Sequence, residues 1–232
     1  MTDQSNFHPS TKLLEEYALG TLSTGMSVAI SAHVELCDDC KQHVSVAEQH
    51  AATAWAGSAS TKSNGAPDYS DVIASIVSQV QDGSVAPQIS VPEELHTPEH
   101  SVVLPRVLAK VAAEGLVWKK LAGGINQARV ELDNETQCEF IYMKPGSKTP
   151  VHTHMGSEVT LVLDGSFSDE MGEYGPADFV LRDKKDHHQP CSDEGCLCFA
   201  VLDSPLTFTK GLARLFNPLI RYKFRRATSA GI

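Results

Sequence analysis

Apolar residues along this chain keep two different periods, and the change between them falls near Leu116. Before it they recur at intervals of three and four. Leu13, Leu14, Tyr17 and Ala18 make one apolar face of a helix that Ser10 or Thr11 caps and Gly20 ends. Ser23 or Thr24 opens a second helix through Val28, Ala29, Ala32 and His33. After a corner at Cys37-Asp38-Asp39, one of the two aspartates caps a third, with Val44, Ala47, Ala51 and Trp55 on one side. Residues 57–67 offer no apolar anchor and predict a flexible connection. Asp68 or Ser70 then starts a fourth helix with Ile73, Ile76, Val77 and Val80 at amphipathic spacing. On so loose a tether that stripe has two uses open to it, completing a four-helix core or holding a partner.

Residues 83–105 carry Pro87, Pro92, Pro98 and Pro105 among few apolar residues and predict a stiff linker in which His96 and His100 are solvated. Beyond Leu116 the period becomes two. Leu116-Trp118, Ala128-Val130-Leu132, Cys138-Phe140-Tyr142, Glu158-Thr160-Val162 and Phe179-Leu181 mark alternate positions of short strands separated by Gly, Pro, Asn and Asp turns. Many short strands at such spacing predict a sandwich or barrel. The fold class is therefore a small helical bundle followed by an all-β unit.

Composition narrows the picture. With 232 residues and 41% hydrophobic content the chain can hold two modest domains, each with its own core. It contains neither eighteen consecutive apolar residues nor a charged and then apolar N-terminus, so we expect no membrane span, no signal peptide and a cytoplasmic protein. The six cysteines would then be reduced, which favours metal or thiol chemistry over disulfides. The net charge of −10 is concentrated early: residues 1–85 hold three basic side chains against ten acidic ones. That sign excludes direct nucleic-acid binding and suits a basic protein partner, although plain solubilising charge accounts for it equally well. The segment from Ser204 to Ile232 is the reverse, with six Lys and Arg and no acid, and fits contact with the acidic helices or simple solvation.

The densest chemistry before the linker is His33-Val-Glu-Leu-Cys37-Asp-Asp-Cys40. Spacings of four and three bring an imidazole and two thiols to one side of a helix or a helical corner. Zinc takes such a set, and His8, on the arm before the first helix, is the nearest candidate for a fourth ligand in a closed structural site. A reduced Cys-x-x-Cys packed in a helical core is the alternative, poorly served by Asp38-Asp39. His8 followed by His33-x3-Cys37-x2-Cys40 in a short acidic helical unit resembles the zinc-binding anti-sigma domain, and residues 1 to about 220 resemble the ChrR-type anti-sigma factors. The resemblance implies a helical zinc-binding anti-sigma domain at 1–85, a Pro-rich linker at 86–105, a cupin metal-binding sensor at 106–220, and a basic tail at 221–232 beyond the family's usual end.

A second constellation supports the cupin. In Gly146-x5-His152-x-His154-x3-Glu158-x6-Gly165 the two histidines share a strand face and Glu158 follows at even spacing, so three polar groups enter one barrel, where a cation would offset their burial. The spacing is similar to the first cupin motif at every fixed position. The second motif is divergent: Asp178 stands for a glycine in Gly175-Pro-Ala-Asp178-Phe179, Leu181 falls at the customary histidine, and no asparagine follows. By the cupin pattern His-x-Pro we assign His188 as the fourth ligand, with His187 as the alternative. Such a set accepts zinc, manganese, iron or nickel. Cys196 and Cys198 alternate around Leu197 on the next strand, either as small buried hydrophobes or as targets of oxidation, and Cys191 in a polar loop is the more accessible thiol.

The resemblance implies a regulator that does not turn over substrate. Its helical domain would sequester a sigma factor of the extracytoplasmic-function type, using the stripe Ile73, Ile76, Val77 and Val80, and the cupin would release it on an oxidative signal such as singlet oxygen or an organic peroxide. The alternative is a metal-dependent cupin enzyme, a dioxygenase or small-molecule hydrolase, with a helical oligomerisation module.

Overall fold

The structure is a computed structural model and describes residues 7–58, 68–80, 94–97 and 101–228. Each early helix begins where the sequence supplies a capping oxygen. In α1 (Thr11–Ala18) the Ser10 hydroxyl accepts from the Leu13 N–H, and Gly20 at φ +67° turns the chain away. Ser23 does the same for α2 (Thr24–Leu36) by accepting from Met26. The extended Cys37 makes the corner, and α3 (Asp38–Ser58) opens with two aspartates against its positive end. Leu14, Ile30 and Val44 are buried where the helices meet. Trp55, predicted on the same side as Val44, is 76% exposed, because the 21-residue α3 outruns its 8- and 13-residue neighbours.

α4 (Ser70–Val80) starts behind Asp68, whose carboxylate accepts from the Ser70 N–H. Val72, Ile73, Ile76 and Val77 are each more than half exposed, so this stripe does not complete the bundle core among the described residues. The side chain of Val80 lies outside the described residues, as do segment 59–67 of the first predicted connection and Pro87, Pro92, Pro98 and His100 of the second. What is described of the predicted linker is ordered structure: β1 (Glu94–His96) pairs antiparallel with β2 (Ser101–Val103), burying Leu95 and Val102. His96 is on this hairpin, its Nδ1 2.6 Å from the Ser101 hydroxyl. α5 (Arg106–Ala113) follows at once and buries Leu108.

The β half comprises β3 (Lys119–Lys120), β4 (Ile125–Val130), β5 (Gln137–Met143), β6 (Ser147–Lys148), β7 (His152–His154), β8 (Glu158–Gly165), β9 (Phe167–Asp169), β10 (Gly172–Tyr174), β11 (Phe179–Arg182), β12 (Cys191–Ser192), β13 (Cys196–Leu202) and β14 (Leu206–Phe208). A six-stranded sheet, β11-β8-β13-β5-β4-β3, faces a four-stranded sheet, β10-β9-β12-β6, with the pair β14-β7 beside them. Alternation along the strands assigns two faces. Val162, Met143, Cys196 and Cys198 turn inward and pack with Phe167 and Tyr174 to fill the barrel. Phe140, Leu161, Leu197, Phe199 and Val201 turn outward, into a cluster with Ala29 and Ile30 of α2 and Leu108 of α5.

That outer cluster departs from the expectation of a core for each half. The barrel has an interior cluster of its own, and the helices share the outer one with the sheet. The physical reason lies in α2, whose small residues let the helix approach the sheet: a Cβ on Gly25 would collide with the Thr136 and Cys138 side chains. The Gly25 N–H also donates to the Asp133 carboxylate at 2.7 Å. At the strand ends the predicted pattern overshoots, with Leu116 and Trp118 ahead of β3 and Leu132 past β4. On β11, an edge strand, Phe179 and Val180 are both buried and Leu181 is exposed, so the predicted alternation breaks there. The basic tail is helical as far as it is described: α6 (Asn217–Thr228) seats Phe224 on Ala200 and Leu202.

Candidate metal centres

The first centre gathers His8, His33, Cys37 and Cys40, whose ligand atoms all lie within 4.8 Å of one another. His8 Nδ1 is 3.4 Å from the Cys37 sulfur and 3.5 Å from that of Cys40, and His33 Nε2 is 3.3 Å from the Cys40 sulfur. Around a tetrahedral zinc, bonds near 2.3 Å to sulfur and 2.0 Å to nitrogen separate such ligand atoms by about 3.5 Å. The residues present therefore fit zinc. Local folding brings the two thiols together: α2 ends at the extended Cys37, α3 restarts immediately, and the Cys40 N–H donates to the Cys37 sulfur at 3.4 Å. His33, Cys37 and Cys40 are buried, and His8 is exposed on its arm.

The second centre gathers His152, His154, Glu158 and His188, all buried, again with ligand atoms within 4.8 Å of one another. His152 and His154 project inward from β7 as strand parity requires, and Glu158 begins β8. His188 arrives from the loop before β12 and is held by two backbone bonds of 3.1 Å exchanged with His152. His187, its sequence alternative, is exposed and outside the group. His154 Nε2 lies 2.8 Å from the Glu158 carboxylate and 3.3 Å from His188 Nε2. Two imidazole nitrogens facing each other beside one carboxylate cannot all be satisfied by their own protons. A cation between them resolves this, and three imidazoles with one carboxylate suit several divalent ions.

Electrostatics point the same way. Burial lowers His152 from 6.5 to about 4, so at neutral pH it is unprotonated and ready to ligate. Burial alone would raise Glu158, but His154, His152 and His188 around it bring it down to about 2. For His154 burial opposes protonation, and the adjoining Glu158 overcomes that and raises it.

Behind the ligands stands a group that sequence reasoning missed. Asp169 accepts from His188 Nδ1 at 3.2 Å and from Arg182 at 3.0 Å, and the Tyr174 hydroxyl donates to it at 3.1 Å. Its side chain is wholly buried. An Nδ1–H held in this way directs the Nε2 lone pair of His188 into the cluster, and the Pro150 carbonyl, 2.8 Å from Nδ1 of His152, does the same there. Nothing about Asp169 marked it in advance, since it comes from the end of β9, at a spacing unrelated to the ligand motifs.

Among the remaining thiols, Cys196 and Cys198 both face the barrel interior with Leu197 opposite, their sulfurs 3.9 Å apart. The Cys198 thiol donates to Cys196 and lowers its pKa while raising its own. Cys191 is half-buried on β12 beside Ser168. Cys138 faces α2 rather than the barrel interior, and burial pushes its thiol up to about 12.

Fold and site together define a class: a cupin barrel fused through a shared core to a helical unit built round a His2Cys2 cluster. Residues 108–204 match the ChrR cupin-like domain family. The anti-sigma-E factor ChrR of Cereibacter sphaeroides is 32% identical over 222 residues, covering 92% of this chain and 97% of that protein. The crystal structure of Rhodobacter sphaeroides SigE in complex with the anti-sigma ChrR matches at a TM-score of 0.65 with 28% identity, over 86% of this chain and 99% of the matched chain. The chain belongs to the ChrR family of anti-sigma factors.

Proposed function

We propose that the helical unit binds and inhibits a sigma factor of the extracytoplasmic-function type and that the cupin half releases it on an oxidative signal. The observation that carries the binding reading is α4: an amphipathic helix whose Val72, Ile73, Ile76 and Val77 remain exposed, in a chain whose solved relative is complexed with SigE. A helix of this kind lays its apolar face into a partner's groove, and the acidic surface around it speeds encounter with a basic protein. The enzyme alternative loses support, because the relative it resembles along both halves is a regulator. Among the described residues no helix is long and apolar enough to cross a membrane; a partner that works with RNA polymerase supports a cytoplasmic reading.

His8, His33, Cys37 and Cys40 would hold zinc as a structural tie. His152, His154, Glu158 and His188 would hold a second divalent ion, which when bound supplies a Lewis-acidic or redox-active centre to meet singlet oxygen or an organic peroxide. Cys196 and Cys198 face the same interior, with Cys191 on the wall, and are the side chains placed to record the event by oxidation. Turning a mostly bound population into a mostly free one takes about 5 kcal/mol of preference between the two states, a change on the scale of a lost ligand or a covalent modification.

The experiment is inhibition of sigma-dependent transcription by the full chain. Replacing Ile73 and Ile76 together with Asp should weaken sigma binding by about 100-fold or more, as loss of central apolar anchors does, with metal content and melting temperature unchanged. Undiminished inhibition by that double variant removes α4 from the interface. A full, metal-loaded chain that binds no sigma factor of this type removes the function.

A further inference from the structure

The turn Gly175-Pro176-Ala177-Asp178 belongs to the barrel, yet its polar groups are directed at the helical centre. Ala177 is the single non-glycine residue with positive φ among those described, at +70°, a conformation an L-residue adopts only under constraint from its surroundings. It presents its carbonyl to His33 Nδ1 at 2.9 Å, in a fully buried bond. That bond puts the proton on Nδ1 and turns the Nε2 lone pair toward the Cys40 sulfur. Asp178, only 1% exposed, accepts from the turn's own Gly175 N–H with one oxygen and from the Phe7 N–H, at 3.0 Å, with the other. The next residue, Phe179, donates its N–H to the Phe7 carbonyl at 2.9 Å. The Phe7 ring stands edge-on to Tyr174 at 4.9 Å. Phe7 is the residue before His8.

Of the four sulfur and nitrogen ligands, then, Cys37 and Cys40 are placed by their own helices, while the barrel fixes the ring of His33 on α2 and anchors the residue before His8. We infer that the turn 175–179 is the outer shell of the helical metal centre, so that the cupin half sets how firmly the helical half keeps its metal. Asp178 and Ala177 are its positioning residues. Asp178 stands where the cupin pattern has glycine, and a glycine would offer neither acceptor. The inference rests on reading His8, His33, Cys37 and Cys40 as a metal site.

The test uses the full chain loaded with cobalt. A cobalt–thiolate absorption band reads the helical centre alone, because the barrel centre has no sulfur among its four ligands. Chelator-driven decay of that band is followed in Asp178→Ala, in Asp178→Asn, in Phe7→Pro, which removes the arm's N–H without altering the barrel, and in Phe7→Ala, which keeps both backbone bonds. Asp178→Ala and Phe7→Pro should lose helical-site cobalt about 10- to 100-fold faster, the usual effect of a missing outer-shell partner. Asp178→Asn, which retains one acceptor, should fall between them and wild type, and Phe7→Ala should stay near wild type, with barrel metal lost at an unchanged rate throughout. Decay at the wild-type rate in Phe7→Pro overturns the inference, even if Asp178→Ala proves too unstable to assay. Absence of the band in the wild type instead overturns the reading of the site itself.

Discussion

The two candidate centres are built in opposite ways. In the barrel, all four ligands are buried and every outer partner found, Asp169 and the Pro150 carbonyl included, comes from the same β unit. In the helical unit one ligand is exposed on an arm, and groups from the other half of the molecule hold the ring of His33 and the residue before His8. A centre enclosed in its own barrel answers to what enters that barrel. A centre assembled across a seam answers also to whether the seam is closed.

The sharpest way to break this contrast is Cys37→Ser. Structural zinc carries roughly 10–16 kcal/mol of apparent binding energy in small domains, so losing one ligand should cost one metal equivalent and much of the helical circular dichroism of α1–α3. Two equivalents and full helicity in that variant would dissolve the helical centre. Next comes His154→Ala, expected to empty the barrel and leave the cobalt–thiolate band of the other centre intact; a joint loss would mean the two are not separable. Asp169→Ala should weaken barrel metal by about 10- to 100-fold in chelator competition without touching the helical centre. An unchanged affinity would show that the Asp169–His188 contact does not orient the ligand. Smallest is Gly25→Val, which forces α2 off the sheet and should lower stability by about 1–3 kcal/mol in urea titration. No change would mean the seam is looser than its packing implies.

Much of this was legible in the residues because it is local. Caps at Ser10 and Ser23, the corner at Cys37 and the parity of His152 and His154 depend on neighbours a few positions away, and each set of four proposed ligands converges in space. Choosing His188 over His187 needed the cupin pattern, and the two backbone bonds with His152 give the physical basis. What escaped was long-range. The hairpin β1-β2 looked like linker because its prolines mask two three-residue strands, each with one buried residue. The common core escaped because the small residues on α2 mark a helix without marking the sheet face that they fit. Asp178 was visible as a departure from the cupin pattern, but its partner lies 171 positions away and no local rule reaches it.

The packing of α2 against β13 also bears on how the molecule is made. Ala29 and Ile30 leave the ribosome well before Phe199 and Val201, which share their cluster. At about 5–20 residues per second, the time from Leu36 to Leu202 is roughly ten to thirty seconds. Throughout that interval the nascent helices lack their permanent cover, so a chaperone or an early-bound partner has first claim on them.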